Sequence, residues 1–538
     1  MLLLGLALLP PPVWGHPSPG DRFPNLHRRI DTLLEAEGLD REGVALSMFS
    51  TKRRRFLYRR QAETAMVAAS NAKLATTYAA LQVLRPNYRW KTTFYLITPP
   101  PEHPDGGRQG LLVQGGGDPT LSSAGLDAIA LELRARGLRR VGGALYFDES
   151  LFDQVRYPAA WGGAVGTQSW FAPVSPFILD KNAAEFFIVS APDGGAIEVI
   201  PRALGTFVQV VSRLTSAPDP RLLVYVEQSW DARGARFTFK GKVPDTPGTH
   251  YFATAVTDPV FHFLHRLRQG LHRAGVVGEM PLRPLPAGEF GQQVLHAHYS
   301  TPLREIIAEV NKESNNLTAE VVLRALALTR EPERASGKMG LAVMREALGR
   351  EFPGFEDQLH FADGSGLSRE TRMSASFLVH LLNRVLARKE FRSEYLASLS
   401  VAGWDGTLKY RRYPERIWGR LRAKSGTLRG VQNLSGYLFP LTDTVVFSFL
   451  INDGSGGFAA LQAAQDRVMV GIFDFLLAQE APATAKAKPG APPPPSDAVP
   501  PPESAPPESA PPAPAADPRP RAGGKNLTPP PVSFKLGR

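Results

Sequence analysis

Ser70 and Lys73 stand three positions apart in Ser70-Asn71-Ala72-Lys73, at the start of a helical pattern that continues through Leu74, Tyr78 and Leu81. Residues three apart on a helix lie one turn apart on the same side, so hydroxyl and amine can meet. A serine hydroxyl alone is a poor nucleophile at neutral pH. A lysine stripped of water and crowded by a second cation loses its proton and can serve as its base. The spacing by itself is common, and a capped helix with a surface lysine also accounts for it.

Two further segments carry matching chemistry. Ser314-Asn315-Asn316 lies between a helical pattern over Pro302 to Lys312 and an apolar helix over Leu317 to Leu328, where Ser314 and Asn316 can face one cavity from a short loop. Capping of the second helix by Asn316 or Thr318 is the plainer reading. Lys424-Ser425-Gly426-Thr427 reads as a strand, with Val445 to Ile451 as its partner. On that strand Lys424 and Gly426 share one face and Ser425 and Thr427 the other. Gly426 removes a side chain where a substrate must approach, and an edge strand of this kind offers backbone N–H groups to an extended peptide and hydroxyls to its carboxylate. A turn with a stray lysine is the plainer alternative.

These segments need a large scaffold, and the chain has 538 residues, 43% of them hydrophobic, enough for two to four domains. The absence of cysteine excludes disulfides, thiolate metal sites and cysteine nucleophiles. A net charge of +11 favours anionic polymers without choosing one. His262, His265 and His272 are spaced as if for a metal, but Phe261, Phe263, Leu264 and Leu267 around them make a buried helix the simpler account, so no metal site is expected. The basic run Lys52 to Arg60, interleaved with Phe56 and Tyr58, is read as a solvated strand face rather than a nucleic-acid site.

Residues 1–15, an apolar Leu/Ala/Gly run closed by Val13-Trp14-Gly15, are expected to be a secretory signal, although no Lys or Arg precedes the run. No other stretch reaches the roughly 18 apolar residues of a membrane span. Residues 481–538 hold 19 of the 49 prolines and one aromatic, Phe534, which predicts a disordered, semi-extended tail.

Ser-x-x-Lys, Ser-Asp-Asn and Lys-Thr-Gly are the set of penicillin-binding proteins and β-lactamases, and all three occur here in that order, with Asn315 in place of the aspartate. Over roughly Asp31 to Gln479 the chain resembles the D-alanyl-D-alanine carboxypeptidase/endopeptidase family, the class C low-molecular-mass penicillin-binding proteins. The gap of 314 − 70 = 244 residues between the first two motifs leaves room for inserted domains that serine β-lactamases lack. Gly115-Gly116-Gly117-Asp118-Pro119-Thr120-Leu121, Ala172-Pro173-Val174-Ser175 and Asp363-Gly364-Ser365-Gly366-Leu367-Ser368-Arg369 are also similar to the family.

The resemblance implies an α/β (α+β) fold: a penicillin-binding-protein/serine β-lactamase-like transpeptidase domain, discontinuous over 16–85 and 286–480, with inserted β-rich domains over 86–285, one nested in the other. It implies that Ser70 attacks the carbonyl between two D-alanines, with Lys73 as base and the Ser70 and Thr427 N–H groups holding the oxyanion. Ser314 and Lys424 would pass a proton to the leaving amine and Asn316 would hold the substrate amide. Ser425 and Thr427 would bind the terminal carboxylate, beside Gly426, and Arg369 matches another pocket residue. Ser425 departs from the family's threonine but keeps the hydroxyl. Arg156 falls where many relatives carry an aspartate that reads an amine on the third stem-peptide residue, and Asp153 is the nearby substitute. The implied partners are peptidoglycan stem peptides and, as covalent inhibitors, β-lactams; no cofactor and no nucleic acid is implied. An exported, periplasmic or extracytoplasmic location is implied too, with peripheral envelope association through the basic regions and tail. A homodimer is left open. The rivals are a serine β-lactamase or esterase of the same superfold, which needs a water-activating group, and a non-catalytic protein that binds envelope polymers or nucleic acid.

Overall fold

The computed structural model describes residues 24–480 apart from 104, 163–165, 191–196, 203, 286–290 and 453–456. The expected signal over 1–15 and the tail over 481–538 lie outside the described residues.

The run Val445–Ile451 is β-branched and aromatic almost throughout, and all seven of its residues are buried. It lies inside a six-stranded antiparallel sheet ordered Ser400–Val401, Leu421–Leu428, Val431–Leu438, Val445–Ile451, Val44–Ser50, Arg55–Arg60. Both faces are covered, and the strands show it with period two. Val445, Phe447, Phe449 and Ile451 pack with Leu26, Ile30 and Leu34 of helix Pro24–Ala36 and with Val468 and Ile472 of helix Phe458–Glu480. Val446 and Leu450 pack on the opposite face with Phe377 and Leu381 of helix Ala375–Ala387. That second core continues into helices Ala72–Val83, Asn316–Ala327 and Gly337–Glu351. Each fully buried Leu, Ile or Phe contributes roughly 1.5–3 kcal/mol, so apolar packing clamps the helix carrying Lys73.

Strand Leu421–Leu428 does not pair with Val445–Ile451. It turns back through Arg429-Gly430 onto Val431–Leu438, which then pairs with Val445–Ile451. Gly430, at φ +70, supplies the left-handed turn residue. The local hairpin wins because closing a two-residue loop costs less chain entropy than pairing with a strand farther along.

The chain leaves this scaffold at Trp90 and returns at Ser300 through one clip. The Trp90 N–H donates to Ser300 Oγ at 3.0 Å, the Ser300 N–H to Trp90 O at 3.0 Å and the Leu303 N–H to Tyr88 O at 2.8 Å. Between them lies a five-stranded sheet ordered Leu282–Pro284, Leu145–Asp148, Gly110–Gln114, Lys91–Thr98, Gly291–Tyr299. Helices Ser123–Ala135 and Pro259–Arg273 pack against it, so this region is not made of strands alone. Gly291–Tyr299, beyond the expected border at 285, closes this sheet by pairing with Lys91–Thr98. Two three-stranded sheets enclose Phe186, Phe237 and Phe239, and their strands include Glu198–Arg202 and Val208–Ala217. His262 is buried on Pro259–Arg273 and pushed down to about 4 by loss of water, and His265 bonds Asp231 O at 2.7 Å.

Arg55–Arg60 forms the outer strand of the six-stranded sheet, and part of the basic run is matched within the fold: Arg53 pairs with Asp443 at 2.6 Å, and Lys52 Nζ donates to Thr442 Oγ1 at 2.8 Å. Among the described residues, no helix is long and apolar enough to cross a membrane.

Candidate active site

Ser70 sits in the single 3₁₀ turn Ala69–Asn71 that leads into Ala72–Val83. Ala69 before it holds φ +45, a strained value for a residue with a side chain. Asn71 ties the turn to the sheet, its Nδ2 donating to Ser435 Oγ at 2.6 Å. One helical turn on, Lys73 is fully buried with its Nζ 3.0 Å from Ser70 Oγ, 2.7 Å from Asn316 Oδ1 and 2.6 Å from Ser365 O. The Asn316 amide orientation is fixed by its Nδ2, which donates to Trp170 O at 3.1 Å.

Counting donors then assigns the amine's three contacts. Asn316 Oδ1 and Ser365 O can only accept, and a neutral amine has two N–H bonds, so its lone pair is left facing Ser70 Oγ. Burial pulls Lys73 down to about 7 against the opposing pull of the Asp363 and Glu320 carboxylates, which places the neutral form within physiological reach.

Asn315, rather than Asn316 or Thr318, caps helix Asn316–Ala327, its side chain accepting from the Thr318 N–H at 2.9 Å. That leaves Asn316 in the first turn, free to face Lys73. Ser314 ends the π-helical turn Glu309–Glu313 at φ +60, and this left-handed residue brings its Oγ to 2.9 Å from Lys424 Nζ. Lys424 is also fully buried and donates to Ser425 O at 2.7 Å. Burial first, and then the charge of Lys73, hold it well below the usual lysine range.

Gly426 lets strand Leu421–Leu428 reach the nucleophile: a Cβ there would lie 3.1 Å from the backbone nitrogens of Ser70 and Asn71. The strand Ser400–Val401 covers only Arg422 and Ala423, so Lys424 to Leu428 have no strand on that side. Ser425 Oγ donates to Thr407 Oγ1 at 2.7 Å, and Thr427 Oγ1 to Gln432 Oε1 at 3.2 Å. Arg369 donates to Arg429 O at 2.8 Å, which ties it to the hairpin turn rather than to the lysines. Arg156 pairs with Glu149, and Asp153 lies 3.4 Å from Arg324.

Glu320, Ser365 and Thr407 were not singled out from sequence. Glu320 had a signal, since it follows Asn316 by four positions, on the same face, in an otherwise apolar helix. Burial and the Asp363 carboxylate push it up to about 7. Ser365 acts through its backbone carbonyl, which no side-chain pattern reveals.

The family described as the D-Ala-D-Ala carboxypeptidase 3 (S13) family matches residues 26–472. The chain is 30% identical over 474 residues to the D-alanyl-D-alanine carboxypeptidase of Actinomadura sp., covering 85% of this chain and 86% of that protein. It is 26% identical over 410 residues to the D-alanyl-D-alanine carboxypeptidase DacB of Haemophilus influenzae, covering 73% and 82%. Its fold is similar to the crystal structure of penicillin binding protein 4 from Haemophilus influenzae, with a TM-score of 0.71 at 22% identity, covering 83% of this chain and 99% of that one.

Proposed function

The chain belongs to the D-Ala-D-Ala carboxypeptidase 3 (S13) family, and from that premise we propose that it is a serine hydrolase that removes terminal D-alanine from peptidoglycan stem peptides. Opening of D-Ala-containing cross-links through the same acyl-enzyme belongs to the same proposal. The observation that carries the reading is the meeting, across 354 positions of chain from 70 to 424, of two hydrogen-bonded pairs, Ser70 with Lys73 and Ser314 with Lys424, close enough for the charge of Lys73 to act on Lys424.

In this reading Ser70 Oγ bonds to the carbonyl carbon of the penultimate D-alanine while its proton passes to the Lys73 lone pair. The oxyanion lies against the N–H groups of Ser70 and Thr427, which Gly426 allows to come close. As the C–N bond breaks, a proton reaches the departing amine by way of Lys73, Ser314 and Lys424, and free D-alanine leaves. Water attacks the Ser70 ester carbon, its proton passes through Lys73 to Ser70 Oγ as the Oγ–C bond breaks, and the shortened peptide leaves. Ser425 and Thr427 take the terminal carboxylate, with Arg369 as a further pocket residue. A β-lactam undergoes the first step and leaves a long-lived adduct, whereas rapid steady hydrolysis of benzylpenicillin would favour a β-lactamase.

The same proposal places the enzyme outside the cytoplasm, where its polymer lies, with association to the envelope and a homodimer as its finer parts. It also divides the chain after Tyr299 rather than at 285, since Gly291–Tyr299 pairs with Lys91–Thr98. The test of the activity is mass spectrometry of purified murein fragments, with and without cross-links, incubated with the wild-type chain and with Ser70→Ala. Loss of one alanine mass from wild-type reactions alone is expected, and D-alanine release by Ser70→Ala would overturn the assignment.

A further inference from the structure

Lys73 turns its lone pair toward Ser70 only while the Ser365 carbonyl occupies its place 2.6 Å from Nζ. The turn bearing that carbonyl is held from two sides. Glu320 Oε1 accepts the N–H groups of Gly364 at 3.0 Å and Ser365 at 2.8 Å. Asp363 accepts those of Gly366 at 3.1 Å and Ser368 at 3.0 Å. Glu320 is 1% exposed, and no step of the proposed reaction uses it.

The helix Asn316–Ala327 therefore sets both acceptors of the amine. Asn316 supplies one directly, and Glu320, one turn on, holds the backbone that supplies the other. The fit is close: a Cβ on Gly364 would lie 3.2 Å from Ala319 O, and one on Gly366, at φ +74, only 1.8 Å from Ala69 O. Resting on the reading of Ser70 as nucleophile and Lys73 as its base, we propose that Glu320 is a positioning residue for acylation. It aims the Ser365 carbonyl at the Lys73 amine by holding the Gly364 and Ser365 N–H groups.

The alternative is a purely structural carboxylate, and charge separates the two. The groups facing Glu320 and Lys73 are Asp363, Arg324 and Lys424. Glu320, itself pushed up to about 7, favours the charged amine to the extent that it is ionised, so a neutral replacement lets Lys73 release its proton at lower pH.

The test measures acylation of the full chain by a fluorescent penicillin between pH 5 and 9, per folded molecule as counted by thermal melting. Glu320→Gln keeps an oxygen for both N–H groups. It is expected to acylate within about threefold of wild type at pH 8, with its acid limb moved to lower pH. Glu320→Ala is expected to lose about 100-fold at every pH, the scale of a misplaced reacting group. Glu320→Gln with an unmoved acid limb, or folded Glu320→Ala acylating at the wild-type rate, would overturn the proposal. Should Glu320→Ala not fold, the Glu320→Gln limb decides. A wild-type chain that takes no label overturns the assignment of Ser70 and Lys73, and the role of Glu320 with it.

Discussion

On the wall of the cleft that carries Lys73, four backbone N–H groups of the turn Asp363 to Ser368 point into two buried carboxylates, whereas on the facing wall the strand from Lys424 to Leu428 keeps one side unpaired. The first wall is finished before any ligand arrives: each of those donors has its partner and the amine's contacts are assigned. The second leaves an open ladder edge, beside hydroxyls of Ser425 and Thr427 that rest on Thr407 and Gln432. Proton transfer gains from fixed distances, while recognition of an extended peptide gains from backbone groups still waiting for partners.

The contrast breaks most severely at Gly366. In Gly366→Ala the new Cβ has no room beside Ala69 O and the backbone is left-handed, so a stability loss of about 3 kcal/mol is expected together with loss of penicillin labelling. Thermal melting and gel fluorescence read both, and normal labelling by a stable variant would show that the wall is not fixed. Next in size, Lys424→Met removes the amine beside Ser314 and should slow acylation about 100-fold, measured by stopped-flow quenching with benzylpenicillin.

The pH dependence comes third. Lys73 is the base only when neutral and sits near pH 7, so acylation should fall about tenfold per pH unit below that point and level off above it. A flat profile between pH 5 and 7 would remove Lys73 from that role. The open wall should respond more gently. Thr427→Val is expected to raise KM for a D-Ala-D-Ala peptide about tenfold with little change in kcat. Thr407→Val, which takes the partner from Ser425, should cost about threefold. A larger loss from Thr407→Val than from Thr427→Val would reverse the ranking on this wall.

Sequence spacing was enough to put Ser70 beside Lys73 because both lie within one helical turn, where local geometry decides. Lys424 and Gly426 were legible as one face of a strand for the same reason. The strand's partner was misjudged, since pattern alone does not rank a two-residue hairpin against a later strand. Asn315 was passed over as the cap because three neighbouring residues all carry capping side chains, and only the backbone angle chooses among them. Glu320 and Ser365 O were missed for a deeper reason: their contacts join positions 44 to 292 apart, and none of them involves a side chain on the turn.

The clip at Trp90 and Ser300 has a consequence for descent as well as for folding. A long excursion that departs and rejoins through one doorway can be lengthened, exchanged or pared away by recombination without re-threading its host. Since Trp161 bonds Asp363 and the Trp170 carbonyl receives Asn316, such an exchange would remodel the rim of the reaction chamber and reach the acceptor that holds the Lys73 amine.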